Sequence, residues 1–138
     1  MPFTRITLKY LKLKPFQNPQ TLGQHLRTRR YELGLYLRQA AIPLGVTPST
    51  LMNWEKGHSK PEMQNWPAII AYLGYDPFSD PKSLGEELQR RYRQRGLSRK
   101  AAARHMGLDE GTLRRHEKRG LAPTSDRIRQ LIANFLAR

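Results

Sequence analysis

The chain contains no cysteine, which removes disulfides, thiolate metal sites and thiol nucleophiles together. No stretch approaches 18 consecutive apolar residues, so no membrane-spanning helix is expected. The first residues lack the apolar run and small-residue cleavage site of a secretory signal. Acidic residues are scarce, 11 against 25 Lys and Arg, which leaves a net charge of +14. Hydrophobic residues make up only 38% of the chain, which argues against one large core and for small helical units. The histidines at 25, 58, 105 and 116 show no metal-ligand spacing. No phosphate loop appears, and neither Glu55 nor Glu117 has a nucleophile or base arranged around it. These absences exclude a catalytic residue, a metal site and a cofactor. They leave a soluble, basic, cytoplasmic protein whose charge favours a polyanionic partner.

An internal repeat is present. Sliding the chain by 62 positions aligns residues 21–73 with 83–135 without a gap, at sixteen identities over 53 positions. Unrelated segments of ordinary composition share about three. Leu22, Gly23, Leu26, Arg29, Gly34, Leu35, Ala40, Ala41 and Gly45 recur as Leu84, Gly85, Leu88, Arg91, Gly96, Leu97, Ala102, Ala103 and Gly107. Thr50, Leu51, Glu55, Lys56, Pro61, Ile70 and Ala71 recur as Thr112, Leu113, Glu117, Lys118, Pro123, Ile132 and Ala133.

Each copy spells the same local structure. Thr21-x-x-Gln24 and Ser83-x-x-Glu86 read as capping boxes that open a helix. Leu22, Leu26 and Leu33, and Leu84, Leu88 and Tyr92, then recur at helical spacing. Gly34 and Gly96 stand where a helix ends in a positive-φ residue. Second helices are expected over 36–44 and 98–106, ending at Gly45 and Gly107. Thr47 and Asp109 are suited to cap third helices that run to Lys56 and Lys118. Fourth helices begin near Asn65 and Thr124. Pro43 in the last turn of a helix, and Tyr36 where a capping Ser or Thr is usual, predict a shifted or shortened second helix in the first copy. Residues 1–20 read as a basic arm, 21–75 and 83–138 as two domains, and 76–82 as a linker punctuated by proline and aspartate. The connection from Gly74 to Pro81 reaches at most about 26 Å when extended.

Two short helices joined through a glycine, with paired alanines at their crossing, match a helix-turn-helix. Leu33-Gly34-Leu35, Ala40-Ala41-x-x-Leu44-Gly45-Val46-Thr47-x-Ser49-Thr50-Leu51-x-Asn53-Trp54-Glu55-Lys56-Gly57 and Pro61 resemble the lambda-repressor/Cro (XRE-type) helix-turn-helix family. The second copy is similar from Gly96 to Glu117 but has His116 and Arg119 in place of the Trp and the following Gly. The resemblance implies an all-α chain of two tandem bundles whose third helix enters the DNA major groove. It implies base contacts from Pro48, Ser49, Met52 and Asn53 in one copy and from Glu110, Gly111, Arg114 and Arg115 in the other. Asn suits adenine and Arg suits guanine. It also implies a phosphate contact at the start of the second helix, which Leu37 in the first copy cannot make and Arg99 in the second can. An Arg on the first helix pairs with the Glu ending the third, matched by Arg30 and Glu55; the second copy has Tyr92 at that position, which leaves Glu117 to another donor, the phenol or an arginine.

Backbone-binding candidates complete the set: Arg38, Lys56, His58 and Lys60 in the first copy, and Lys100, Arg104, Lys118 and Arg119 in the second. Residues 21–82 carry 7 basic and 5 acidic residues, whereas 83–138 carry 14 and 6. The second copy thus has the stronger electrostatics and the first the cleaner motif, so the second anchors while the first discriminates. Trp54 is expected in the core. The function expected is sequence-specific binding of double-stranded DNA by a transcriptional regulator of bacterial or phage type, associated with the nucleoid. A homodimer is one assembly open to it. An antitoxin-type adaptor and an architectural or recombination accessory protein remain alternatives.

Overall fold

The computed structural model describes residues 18–78, 80–120 and 125–137. Among them the protein is all-α: it has eight α-helices, one short 3-10 turn and no strand. The chain separates into two units between Pro77 and Phe78, inside the expected linker. The first unit holds α1 (Leu22–Leu33), α2 (Leu37–Leu44), α3 (Pro48–Lys56), a 3-10 turn (Met63–Asn65) and α4 (Trp66–Leu73). The second holds α5 (Leu84–Arg95), α6 (Arg99–Met106), α7 (Glu110–Arg119) and α8 (Asp126–Ala137). Nearly all of the proposed arm, residues 1–17, lies outside the described residues, as do Thr124 and Pro123.

The two units repeat one another at the level of single caps. Thr21, Thr47, Ser83, Ser98 and Asp109 each accept a backbone N–H from the turn they open. The first-helix boxes close differently from the sequence expectation. Gln24 accepts from the N–H of Gln20 at 2.7 Å, and Glu86 from that of Lys82 at 2.7 Å. Each returning side chain therefore ties the residue before the cap, adding a residue of ordered chain ahead of the helix. The expected shortening of α2 does not occur. It spans the same eight positions as α6, because Gln39 takes over part of the missing cap by accepting from the Tyr36 N–H at 2.8 Å. Pro43 sits one residue before the helix end, where little of the ladder remains to be interrupted. The third helices do differ. Gly57 adopts φ 76° and closes α3 after Lys56, whereas Arg119 at the equivalent position continues α7 until Gly120 ends it at φ 79°.

Leu26, Ala40, Ala41, Leu44, Leu51, Trp54, Trp66, Ile69, Tyr72 and Leu73 form the core of the first unit. Leu88, Tyr92, Ala102, Ala103, Met106, Leu113, Ile132 and Phe135 are buried in the second. Trp54 is buried, as expected of it. Arg29 and Arg91, identical across the repeat, cross to the last helix of their units: Arg29 Nε donates to the Tyr72 carbonyl at 3.0 Å, and Arg91 to that of Leu136. Both satisfy carbonyls that a helix end leaves without a partner. His25 reaches Tyr75 across 2.6 Å, and burial holds its imidazole below its ordinary pKa.

The repeated Gly23 and Gly85 mark where the first helix meets the end of the third. A Cβ on Gly23 would lie 2.4 Å from the Glu55 carbonyl oxygen and 2.7 Å from that of Trp54; one on Gly85 would lie 2.5 Å from Glu117 O. These obstacles are backbone atoms and cannot swing aside. In an open helix Gly→Ala stabilises by about 1 kcal/mol. Gly23→Ala is expected to reverse that sign and cost about 2 kcal/mol, because α1 must shift off α3. A thermal melt of the variant reads the sign directly, and a raised midpoint would show that the helices have room to part.

Candidate nucleic-acid interface

In the second unit α6 and α7 pack through Ala102, Ala103, Met106 and Leu113, all buried. That packing turns the remaining positions outward. Lys100 and Arg104 on α6, and Arg114, Arg115, Lys118 and Arg119 on α7, are all exposed. Asp109 caps α7 by accepting from the N–H groups of Gly111 at 2.9 Å and Thr112 at 3.3 Å. Two of the arginines are restrained within their own helix. Arg114 Nη2 lies 3.4 Å from Glu110 Oε1, one turn earlier, and Arg115 Nη2 donates to Thr112 Oγ1 at 3.1 Å.

Glu117 ends the buried side of this helix, and its donors are Arg99, through Nε, and Gln89, through Nε2 at 3.0 Å. The question left by Tyr92 is thus answered by an arginine from α6 and an amide from α5. The Tyr92 hydroxyl is buried beside Glu117, and burial, reinforced by the Glu117 carboxylate, drives its pKa far up. Arg99 was expected at phosphate. It spends Nε on Glu117 and remains about one third exposed, so its outer nitrogens stay accessible. A cleft of about 290 Å³ brings together Arg99, Arg114, Glu117 and Lys118 beside Gly85.

The first unit replaces most of this charge. Ser49 and Pro48 are exposed and Met52 and Asn53 half-buried on α3. On α2 the solvent side carries Arg38, Tyr36 at 45% exposure and Ile42 at 77%, where the second unit has Lys100, Ser98 and Arg104. Arg38 lies over the Tyr36 ring, 5.9 Å from its centroid. Lys56, His58 and Lys60 are exposed and line a groove of about 690 Å³ with Arg27 and the opening turn of α1.

Beneath that groove lies the expected ion pair. Arg30 meets Glu55 with two bonds, Nε to Oε2 at 2.8 Å and Nη2 to Oε1 at 2.9 Å. Arg27 adds a third donor at 3.3 Å, which the sequence reading missed because its helical register alone does not single it out. Burial lowers the Arg30 guanidinium, and Glu55 more than offsets it, leaving the pKa raised. Nearby, burial and the Glu55 charge push Tyr72 up to about 12. No family model, no curated protein and no solved structure matches the chain.

Proposed function

We propose that the protein binds double-stranded DNA through two tandem helix-turn-helix units of lambda-repressor type and acts as a transcriptional regulator. In this reading α3 and α7 enter successive major grooves. The observation that carries it is the outward convergence, on α6 and α7, of Lys100, Arg104, Arg114, Arg115, Lys118 and Arg119, on a helix pair joined by one tight turn. Six cations gathered on one helix pair, in a chain of net charge +14, are suited to the phosphate backbone. Pro48, Ser49, Met52 and Asn53 discriminate sequence in the first unit, while Lys56, His58 and Lys60 border the backbone there.

The test is binding of the intact chain to random and selected duplexes across a salt series. With six to ten phosphates neutralised, affinity is expected to fall by about 10³- to 10⁵-fold between roughly 50 and 200 mM salt. Affinity independent of salt would overturn the reading. The exposure of Ile42 in place of a basic residue favours a second role for the first unit, as an adaptor surface for another protein.

A further inference from the structure

Going deeper into that DNA-binding reading, we infer that Arg115 reads a guanine in the half-site of the second unit, that Thr112 positions it, and that Arg114 serves the DNA backbone instead. The two arginines are neighbours in sequence, yet the helix separates their tasks. Leu113 is fully buried and marks the inward side of α7. At 3.6 residues per turn Arg115 lies about 200° around from it, and Arg114 only about 100°. Arg115 therefore stands on the outermost line of the helix, one turn beyond Gly111, which has no side chain to obstruct the approach of a base edge. A Cβ on Gly111 would lie 2.9 Å from the capping Asp109 carboxylate, a side-chain end that would have to shift to admit it.

Arg114 is turned to the flank. It borders the cleft that also holds Arg99 and Lys118, and its guanidinium faces Glu110. Three cations line the cleft with two carboxylates, Glu86 and Glu117, the second of them already held by Arg99, so Arg114 and Lys118 are the cations left to meet a phosphate at its rim.

Thr112 supplies the positioning. Its Oγ1 takes one N–H of Arg115 Nη2 at 3.1 Å, which fixes the plane of the fork. The other guanidinium N–H groups still offer two parallel donors, the pattern that guanine O6 and N7 accept. In the first unit the equivalent Thr50 is turned to other work: its Oγ1 meets that of Thr47 at 2.9 Å, and Asn53 replaces the arginine. The repeated threonine thus buttresses a base reader in the second unit alone. Ordering a fork before binding lowers the entropy lost when both bonds form.

Duplexes selected by the intact chain, with single guanines replaced by 7-deazaguanine, test the assignment. One guanine should be sensitive in the wild type. Arg115→Ala should abolish that sensitivity and weaken the preferred site by about 5- to 100-fold relative to random duplex. Arg115→Lys should keep random-duplex affinity and lose the discrimination, because an ammonium has no fork. Thr112→Val keeps the side-chain shape and should relax the same guanine with the salt slope unchanged. Arg114→Ala should weaken all sequences alike and lower the salt slope by about one. Sensitivity that survives in Arg115→Ala, or that vanishes in Arg114→Ala, would overturn the assignment while leaving DNA binding intact. If the wild type retains no duplex at low salt, the DNA-binding reading itself fails.

Discussion

Glu55→Ala is expected to cost about 3–5 kcal/mol and to remove much of the first unit's margin of stability. The Glu55 side chain is 1% exposed and that of Arg30 10%, so truncation leaves a guanidinium buried with three carboxylate bonds gone, one of them Arg27's. An unpaired buried charge, rather than the lost attraction, supplies that penalty. Total stabilities of about 5–15 kcal/mol leave little margin. For a unit of this size the melting midpoint should drop by 12 °C or about that much at least. Glu117→Ala should cost about half as much or less. Its donors are a neutral amide, Gln89, and Arg99, whose side chain is about one third exposed and regains water when released. Equal midpoints for the two variants, or a Glu55→Ala midpoint unchanged from wild type, would show that the Arg30–Glu55 pair does not hold the first unit together.

Cutting the chain between the units should lower affinity for a long duplex by about 10²- to 10⁴-fold. In the proposed reading the tether through residues 76–82 keeps the second unit near DNA at millimolar effective concentration once the first is bound, and cleavage removes that advantage while leaving every described helix intact. A protease site placed in 76–82 and cut after folding isolates the effect, with the uncut protein as its own control. Because Pro48-Ser49-x-x-Met52-Asn53 and Glu110-Gly111-x-x-Arg114-Arg115 differ, one chain should cover two unlike half-sites, about 34 Å apart. Footprinting with light scattering on the complex reads both numbers. Undiminished affinity after cleavage, or a perfect palindrome holding two chains with one unit of each off the DNA, would make the spare unit a dimerisation domain.

How far the sequence carried the structure can be followed residue by residue. Leu22, Leu26 and Leu33, and Leu84, Leu88 and Tyr92, at helical spacing, the paired alanines and the cap residues are local signals. Each acts within one or two turns of backbone, so each is visible in a short window, and the all-α architecture follows from them. The 62-residue offset sets its two copies, 21–73 and 83–135, on either side of the division between Pro77 and Phe78. Pro43 and Tyr36 misled for the same reason: they are unfavourable locally, and the burial of Ala40, Ala41 and Leu44 against the rest of the unit overrides so small a local cost.

The sequence by itself marked most helix starts through their caps, the repeat at an offset of 62, and the gathering of positive charge in the second copy. The tertiary structure alone decided who meets whom at long range. Glu117 found Arg99 and Gln89, from two different helices; Arg27 joined Glu55 across 28 positions; Gly23 and Gly85 proved to be the places where backbone lies against backbone. Helical periodicity places a side chain on a face but carries no information about which distant group faces it. Charge counting likewise treats Arg99, Arg114 and Arg115 alike. Only packing turned the first toward a buried carboxylate, set the second at a cleft and held the third against Thr112 on the outer side of α7.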